Sequence, residues 1–177
     1  RAICEAIGEG MTLSYDDFLS RFAGGDERYA MGKMAEELGI DYDEDLFQEW
    51  SNRKAEAYAQ FVSENAEPMP GAVDFVASVA RNLPVGLATG SRRSDVSAAL
   101  SVLANGRLEG IFQTIVTSED VPKPKPHPAT YAKAVENLGF QPSECVAFED
   151  SPNGILSAKG AGLRVVGISA MHGPEKL

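Results

Sequence analysis

From residue 72 onward the chain alternates short apolar runs with amphipathic stretches of helical period, and this alternation limits the fold more than any other feature of the sequence. Helices are predicted over 72–82, 94–103, 129–138 and 153–161, and strands over 85–88, 111–116, 145–148 and 163–168. Strands joined through helices pair in parallel, and a parallel sheet buries both of its faces under helices. The predicted core is therefore an α/β sheet with helices on both sides.

The residues before this segment follow a different pattern. Ser14-Tyr15-Asp16-Asp17 has the form of a helix N-cap, residues 29–38 are rich in helix formers, and residues 44–64 place Leu46, Phe47, Trp50, Ala57, Tyr58 and Phe61 near one stripe. Trp50 is expected in a core. Glu67-Pro68-Met69-Pro70-Gly71 interrupts the helical pattern, because a proline disfavours helix in the residue before it. The boundary is placed there, between an all-α domain over 1–67 and an α/β domain over 68–177.

Composition narrows the range of functions. Hydrophobic residues make up 44% of the 177, enough for a buried core. Sixteen Lys and Arg against 26 Asp and Glu give a net charge of −10, which argues against nucleic acid and anionic membranes as partners. No apolar run approaches the roughly 18 to 20 residues that cross a bilayer, and residues 1–7 lack a signal-peptide pattern, so a cytoplasmic protein is expected. Cys4 and Cys145 lie far apart and offer no disulfide framework or zinc site.

Parallel sheets bind ligands beyond the carboxyl ends of their strands, so the residues following each predicted strand carry the chemistry. After 85–88 comes Thr89-Gly90-Ser91-Arg92-Arg93, with hydroxyls and backbone N–H groups at a helix start, suited to phosphate oxygens. An ordinary Ser/Thr turn has the same appearance. Arg92 and Arg93 oppose the helix dipole unless an anion lies nearby or Asp95 compensates, which favours a bound anion. After 111–116 comes Pro122-Lys123-Pro124-Lys125-Pro126-His127-Pro128, where prolines stiffen a loop that holds Lys125 at a defined reach, a merely solvated lysine being the other reading, while Lys123 and His127 read as solvated or helix-start residues. After 145–148 come Glu149 and Asp150, adjacent carboxylates whose mutual repulsion calls for a cation such as Mg2+. Alternatively, Asp150 or Ser151 caps the helix beginning near Pro152.

Three segments in this order, Leu87-Ala88-Thr89-Gly90-Ser91, Lys125-Pro126-His127-Pro128 and Phe148-Glu149-Asp150-Ser151-Pro152-Asn153-Gly154, resemble the haloacid dehalogenase superfamily, and within it the β-phosphoglucomutase-like branch. The resemblance implies a Rossmann-like core and makes the all-α domain a helical cap. It implies that Thr89 bonds the transferred phosphoryl group, that Lys125 neutralises its charge, and that Asp150 ligates Mg2+ with Glu149 beside it. In the cap, Arg53-Lys54 with Tyr58 is similar to a segment presenting a substrate-contacting lysine, so Lys54, like Arg93, is a secondary substrate candidate, a solvated helix face being the other reading. The family's Asp-x-Asp-Gly nucleophile motif does not occur in these residues. Its strand is expected upstream, within about 20 to 25 further residues. The strands at 85–88 and 146–148 are then expected to flank it rather than pair with each other.

The expected activity is Mg2+-dependent hydrolysis of a small phosphomonoester, a sugar phosphate or similar, through an aspartyl-phosphate, by a monomer. A sugar phosphomutase is the alternative, weakened by Glu27 where that enzyme suggests an arginine. A non-catalytic relative that binds phosphate and Mg2+ is a third reading. A receiver-like signalling domain also places a Thr and a Lys-Pro after successive strands, but Glu149-Asp150 after the lysine and the all-α first third argue against it.

Overall fold

The computed structural model describes residues 27–108 and 110–169, together with Gly8, Ser14 and Asp17. The chain divides into two compact units, one of Arg1–Glu67 with Ser94–Val102 and one of Pro68–Arg93 with Leu103–Leu177. One helix of the alternating segment thus groups with the all-α part of the chain.

In the first unit, Ser14 and Asp17 form a reciprocal capping box: the Asp17 N–H donates to Ser14 Oγ at 3.1 Å, and Ser14 N–H donates to the Asp17 carboxylate at 3.2 Å. The remainder of that predicted N-cap, and the loop over 21–26, lie outside the described residues. Helices α1 (Glu27–Leu38) and α2 (Glu44–Asn65) follow, the second capped by Asp43, whose carboxylate accepts from the Leu46 N–H. Between them Ala30, Met31, Met34, Ala35, Phe47 and Trp50 form a buried core, with Tyr42 against Trp50 at a centroid separation of 6.1 Å. Trp50 occupies the core expected of it. Phe61, assigned to the same stripe, is 44% exposed, because the stripe of α2 turns to solvent near its end and Val62 takes the buried position.

The second unit begins with α3 (Ala72–Ala80), followed by β1 (Gly86–Ala88), α4 (Arg93–Val102, whose residues from Ser94 on belong to the first unit) and β2 (Thr114–Val116). Then come α5 (Ala129–Leu138), β3 (Val146–Glu149), α6 (Pro152–Gly160) and β4 (Arg164–Gly167). Three of the strands are shorter than predicted, the second by three residues, and the third keeps its four residues but shifts by one toward Glu149. α5 ends where Gly139 adopts φ +77° and closes the helix with left-handed geometry.

Pairing is parallel throughout the described residues. β1 runs beside β2 with Leu87 opposite Ile115, and β3 beside β4 with Phe148 opposite Val166. β1 and β3 do not pair with each other; each belongs to its own two-stranded sheet. Along β3 the side chains alternate, Ala147 and Glu149 inward, Val146 and Phe148 outward, as the two-residue period of a strand requires. The inward face packs Ala147 on Tyr131 of α5 and Ala158 of α6, and Phe148 meets Phe75 edge-on at 5.1 Å. Small residues on this face bring α5 and α6 close and leave Glu149 the one carboxylate among them.

Candidate functional site

Glu149 ends β3 on its buried face and is the hub of the site. Its Oε1 accepts from the Lys125 ammonium and from the Tyr131 hydroxyl at 2.7 Å; its Oε2 accepts from the Ser151 hydroxyl at 3.1 Å and from the N–H groups of Asp150 and Ser151 at 3.2 and 3.3 Å. Burial alone pushes its pKa up, but the hydrogen bonds of Lys125 and Tyr131, the lysine's charge and the Ser151 bond outweigh it and hold the carboxyl below its ordinary value. Tyr131 is pushed up, first by burial and then by its bond to Glu149, so its proton stays on the phenol. Five donors thus converge on Glu149, the carboxylate expected beside Asp150 at a cation.

Lys125 reaches from the proline-rich loop to the ends of two strands. Its Nζ donates to the Ala88 carbonyl at the end of β1, at 3.1 Å, and to Glu149 at the end of β3, and lies 4.8 Å from the centroid of the Tyr131 ring. An ammonium has three donors, so one N–H remains for a ligand. The loop is anchored where Ser157 of α6, fully buried, donates to the His127 carbonyl at 2.7 Å. His127 itself serves the start of α5, its Nδ1 accepting from the Ala129 N–H at 3.2 Å.

Thr89 and Asp150 each follow one of the two bridged strand ends. The Thr89 N–H continues the β1–β2 ladder to the Val116 carbonyl, and its Oγ1 accepts from the Ser91 N–H at 3.1 Å, an ST-turn that leaves the hydroxyl hydrogen available. Gly90 is exposed, with nothing within 4 Å of where a Cβ would stand. Ser91 turns its carbonyl to the Ser118 N–H. At β3 the cap of α6 is Ser151, whose Oγ accepts from the Gly154 N–H with Pro152 in the first turn. Asp150 is thereby excluded as the cap and stands exposed, its carboxylate without a partner among the described residues. Its hard oxygens fit Mg2+, an ion that takes one or two carboxylates together with waters and phosphate. No cluster of three or more His, Cys, Asp or Glu residues suited to a metal occurs among the described residues.

Sequence reasoning did not single out Tyr131, and it quoted Gly154 without a reason for it. A Cβ on Gly154 would lie 2.0 Å from the Glu149 carboxyl carbon, so only glycine lets the carboxylate rest against the first turn of α6. A tyrosine three residues past a proline, on the apolar stripe of a helix, carries no signal that distinguishes it from core.

Arg92 and Arg93 have acidic partners within the protein: Arg92 pairs with Glu119 at 3.2 Å and Arg93 with Asp120 at 2.6 Å, while the Arg93 N–H donates to Glu119 at 2.7 Å. Both acids stand in the turn after β2, and their hydrogen bonds hold their own pKa values down. Lys54, in the first unit, is not on a solvated face. Its side chain is 12% exposed and bonds Asp95, with Glu27 at 3.5 Å, the Tyr58 ring at 5.3 Å, and Ser51 donating to Glu27.

Residues 1–162 match the profile of a family described as haloacid dehalogenase-like hydrolase. Protein CbbY of Rhodobacter capsulatus is 33% identical over 150 residues, 84% of this chain and 65% of that protein, so the chain spans just under two thirds of that relative's length. Validoxylamine A 7'-phosphate phosphatase of Streptomyces hygroscopicus subsp. limoneus is 30% identical over 85% of this chain and 81% of that protein. Among solved structures, CbbY from Rhodobacter sphaeroides in complex with phosphate superposes with a TM-score of 0.88 over 100% of this chain and 81% of the other, at 23% identity, a likeness of fold. With the family profile matched over residues 1–162, this chain belongs to the haloacid dehalogenase-like hydrolase family.

Proposed function

We propose that the protein hydrolyses a small, hydroxyl-bearing phosphomonoester of the sugar-phosphate class, with Mg2+ as cofactor and an aspartyl-phosphate as intermediate. The observation that carries this reading is Lys125 bridging the Ala88 carbonyl and Glu149, which sets one ammonium between the strand ends followed by Thr89 and Asp150. Names among the relatives support the substrate class: one is a validoxylamine A 7'-phosphate phosphatase, another a fructose-1-phosphate phosphatase, and a related structure holds phosphate.

In this reading the chain supplies position and charge, which is most of what phosphoryl transfer requires. Lys125 directs its remaining N–H at a phosphoryl oxygen, Thr89 donates its free hydroxyl hydrogen to a second, and the exposed N–H of Gly90 is available to the same group. Asp150 would hold the magnesium ion, whose charge offsets that of the phosphate when bound. Glu149, its carboxyl held below its ordinary pKa, keeps the lysine in place.

The test is phosphate release from a panel of sugar and polyol phosphates by the full-length protein, with and without Mg2+. Activity is expected to require the ion and to fall by about two orders of magnitude or more in Lys125→Ala and in Asp150→Asn. Asp150→Asn should also raise the Mg2+ concentration for half-activation while leaving the melting temperature in place, since the side chain is exposed. Full activity of Lys125→Ala would overturn the reading.

A further inference from the structure

We infer that Tyr131 is a positioning residue for Lys125, acting at once through its hydroxyl and through its ring. The hydroxyl donates to Glu149 Oε1 at 2.7 Å, on the same oxygen that Lys125 grips, and the ring centroid lies 4.8 Å from the lysine Nζ. Tyr131 is 7% exposed and belongs to the small core formed with Ala147 and Ala158, so the phenol cannot swing away without opening that core.

The two contacts restrain different motions. Rotation of a glutamate carboxyl about its last torsion is soft, and a second donor on Oε1 removes that freedom, fixing where the lysine's partner points. The ring presents its negative face to an ammonium largely withdrawn from water and shields that side of it from solvent. The ammonium is then held from three directions, by the Ala88 carbonyl, Glu149 and the ring. Its remaining N–H is left with one defined direction. Phenylalanine would keep the ring and lose the second donor, and leucine would lose both while remaining apolar. The two variants therefore separate the contributions.

The kinetic arm of the test rests on Lys125 binding the phosphoryl group; the spectroscopic arm does not. In the full-length protein, 1H–15N correlation spectra of the lysine ammonium groups, with the Lys125 signal assigned by its loss in Lys125→Met, should show a slowly exchanging resonance shifted upfield by the ring. Tyr131→Phe should keep that shift and exchange several-fold faster; Tyr131→Leu should lose the shift and broaden. With p-nitrophenyl phosphate as probe, kcat should fall about tenfold in Tyr131→Phe and about a hundredfold in Tyr131→Leu, with KM changing less than kcat. A Lys125 ammonium in Tyr131→Leu indistinguishable from the parent's, or no protected ammonium in the parent, overturns the inference. Should the leucine variant fail to fold, parent-like exchange and kcat in the isosteric phenylalanine variant overturn the hydroxyl's part. If the parent releases no phosphate from any monoester, the hydrolase reading fails, and the ammonium spectra still decide the role of Tyr131.

Discussion

The site depends on what is missing from one residue, since Gly154 has no Cβ. An alanine there would place a methyl carbon 2.0 Å from the Glu149 carboxyl carbon, far inside any tolerated contact, and neither the buried carboxylate nor the first turn of α6 has room to yield. Gly154→Ala is expected to cost about 1–3 kcal/mol of stability as an overpacking change. It should also lower kcat by at least about tenfold by displacing the carboxylate that holds Lys125, with both effects read from thermal unfolding and p-nitrophenyl phosphate turnover on the same preparation. Wild-type activity in a destabilised variant would mean that Glu149 need not stand where it does. Ser151 acts at the same spot, capping α6 and donating to Glu149, so Ser151→Ala should lose about 1 kcal/mol from the cap alone.

Among the elements, the turn over Ser118–Asp120 ties the loop after β1 to the loop after β2. Asp120 closes the turn by accepting from the Thr117 N–H and hydroxyl, each at 2.7 Å, and Glu119 accepts from the Arg93 N–H at the start of α4. The anion that the N-terminus of α4 calls for is thus supplied by the protein itself, 26 residues downstream. Both carboxylates have folded-state pKa values lowered chiefly by these backbone bonds, from ordinary values of 4.5 for Glu119 and 3.8 for Asp120. A lowered folded pKa means that the folded state binds fewer protons, so the stabilisation is present above the ordinary values and is lost as pH falls through the folded ones. The double variant Glu119→Gln, Asp120→Asn should therefore melt below the parent at neutral pH, and the difference should shrink as pH drops beneath about 4. A difference independent of pH would assign the loss to geometry rather than charge.

Over the whole molecule, the net charge of −10 acts as a uniform repulsion that local ion pairs do not cancel. Added salt screens it, with a Debye length falling from about 30 Å at 0.01 M to about 8 Å at 0.15 M. The melting temperature is expected to rise by a few degrees over that interval, and the protein to pass through a heparin column unretained at low salt. A melting temperature that falls with salt would mean that favourable pairs such as Arg92–Glu119 and Lys54–Asp95 outweigh the net repulsion.

What the sequence determined by itself was periodic or local. The alternation of apolar runs and helical stretches located the described helices of the α/β segment within two residues at each end, since burial of one face imposes its period on the chain wherever the face lies. Placing Thr89 and Asp150 just past strand ends, and Glu149 at one, followed from the same pattern, because the end of an apolar run marks the edge of a sheet. What only the tertiary structure decided was how side chains distant in sequence share charge. That Arg93 pairs with Asp120, Lys54 with Asp95, and Glu149 with Lys125 and Tyr131 all turned on contacts spanning 18 to 41 residues. An ionisable group carries the same chemistry in each case, and its partner is set by which chain segments packing brings within hydrogen-bond reach. Gly154 shows the same limit, for a missing Cβ gains a meaning only when a carboxylate from the preceding strand fills its place.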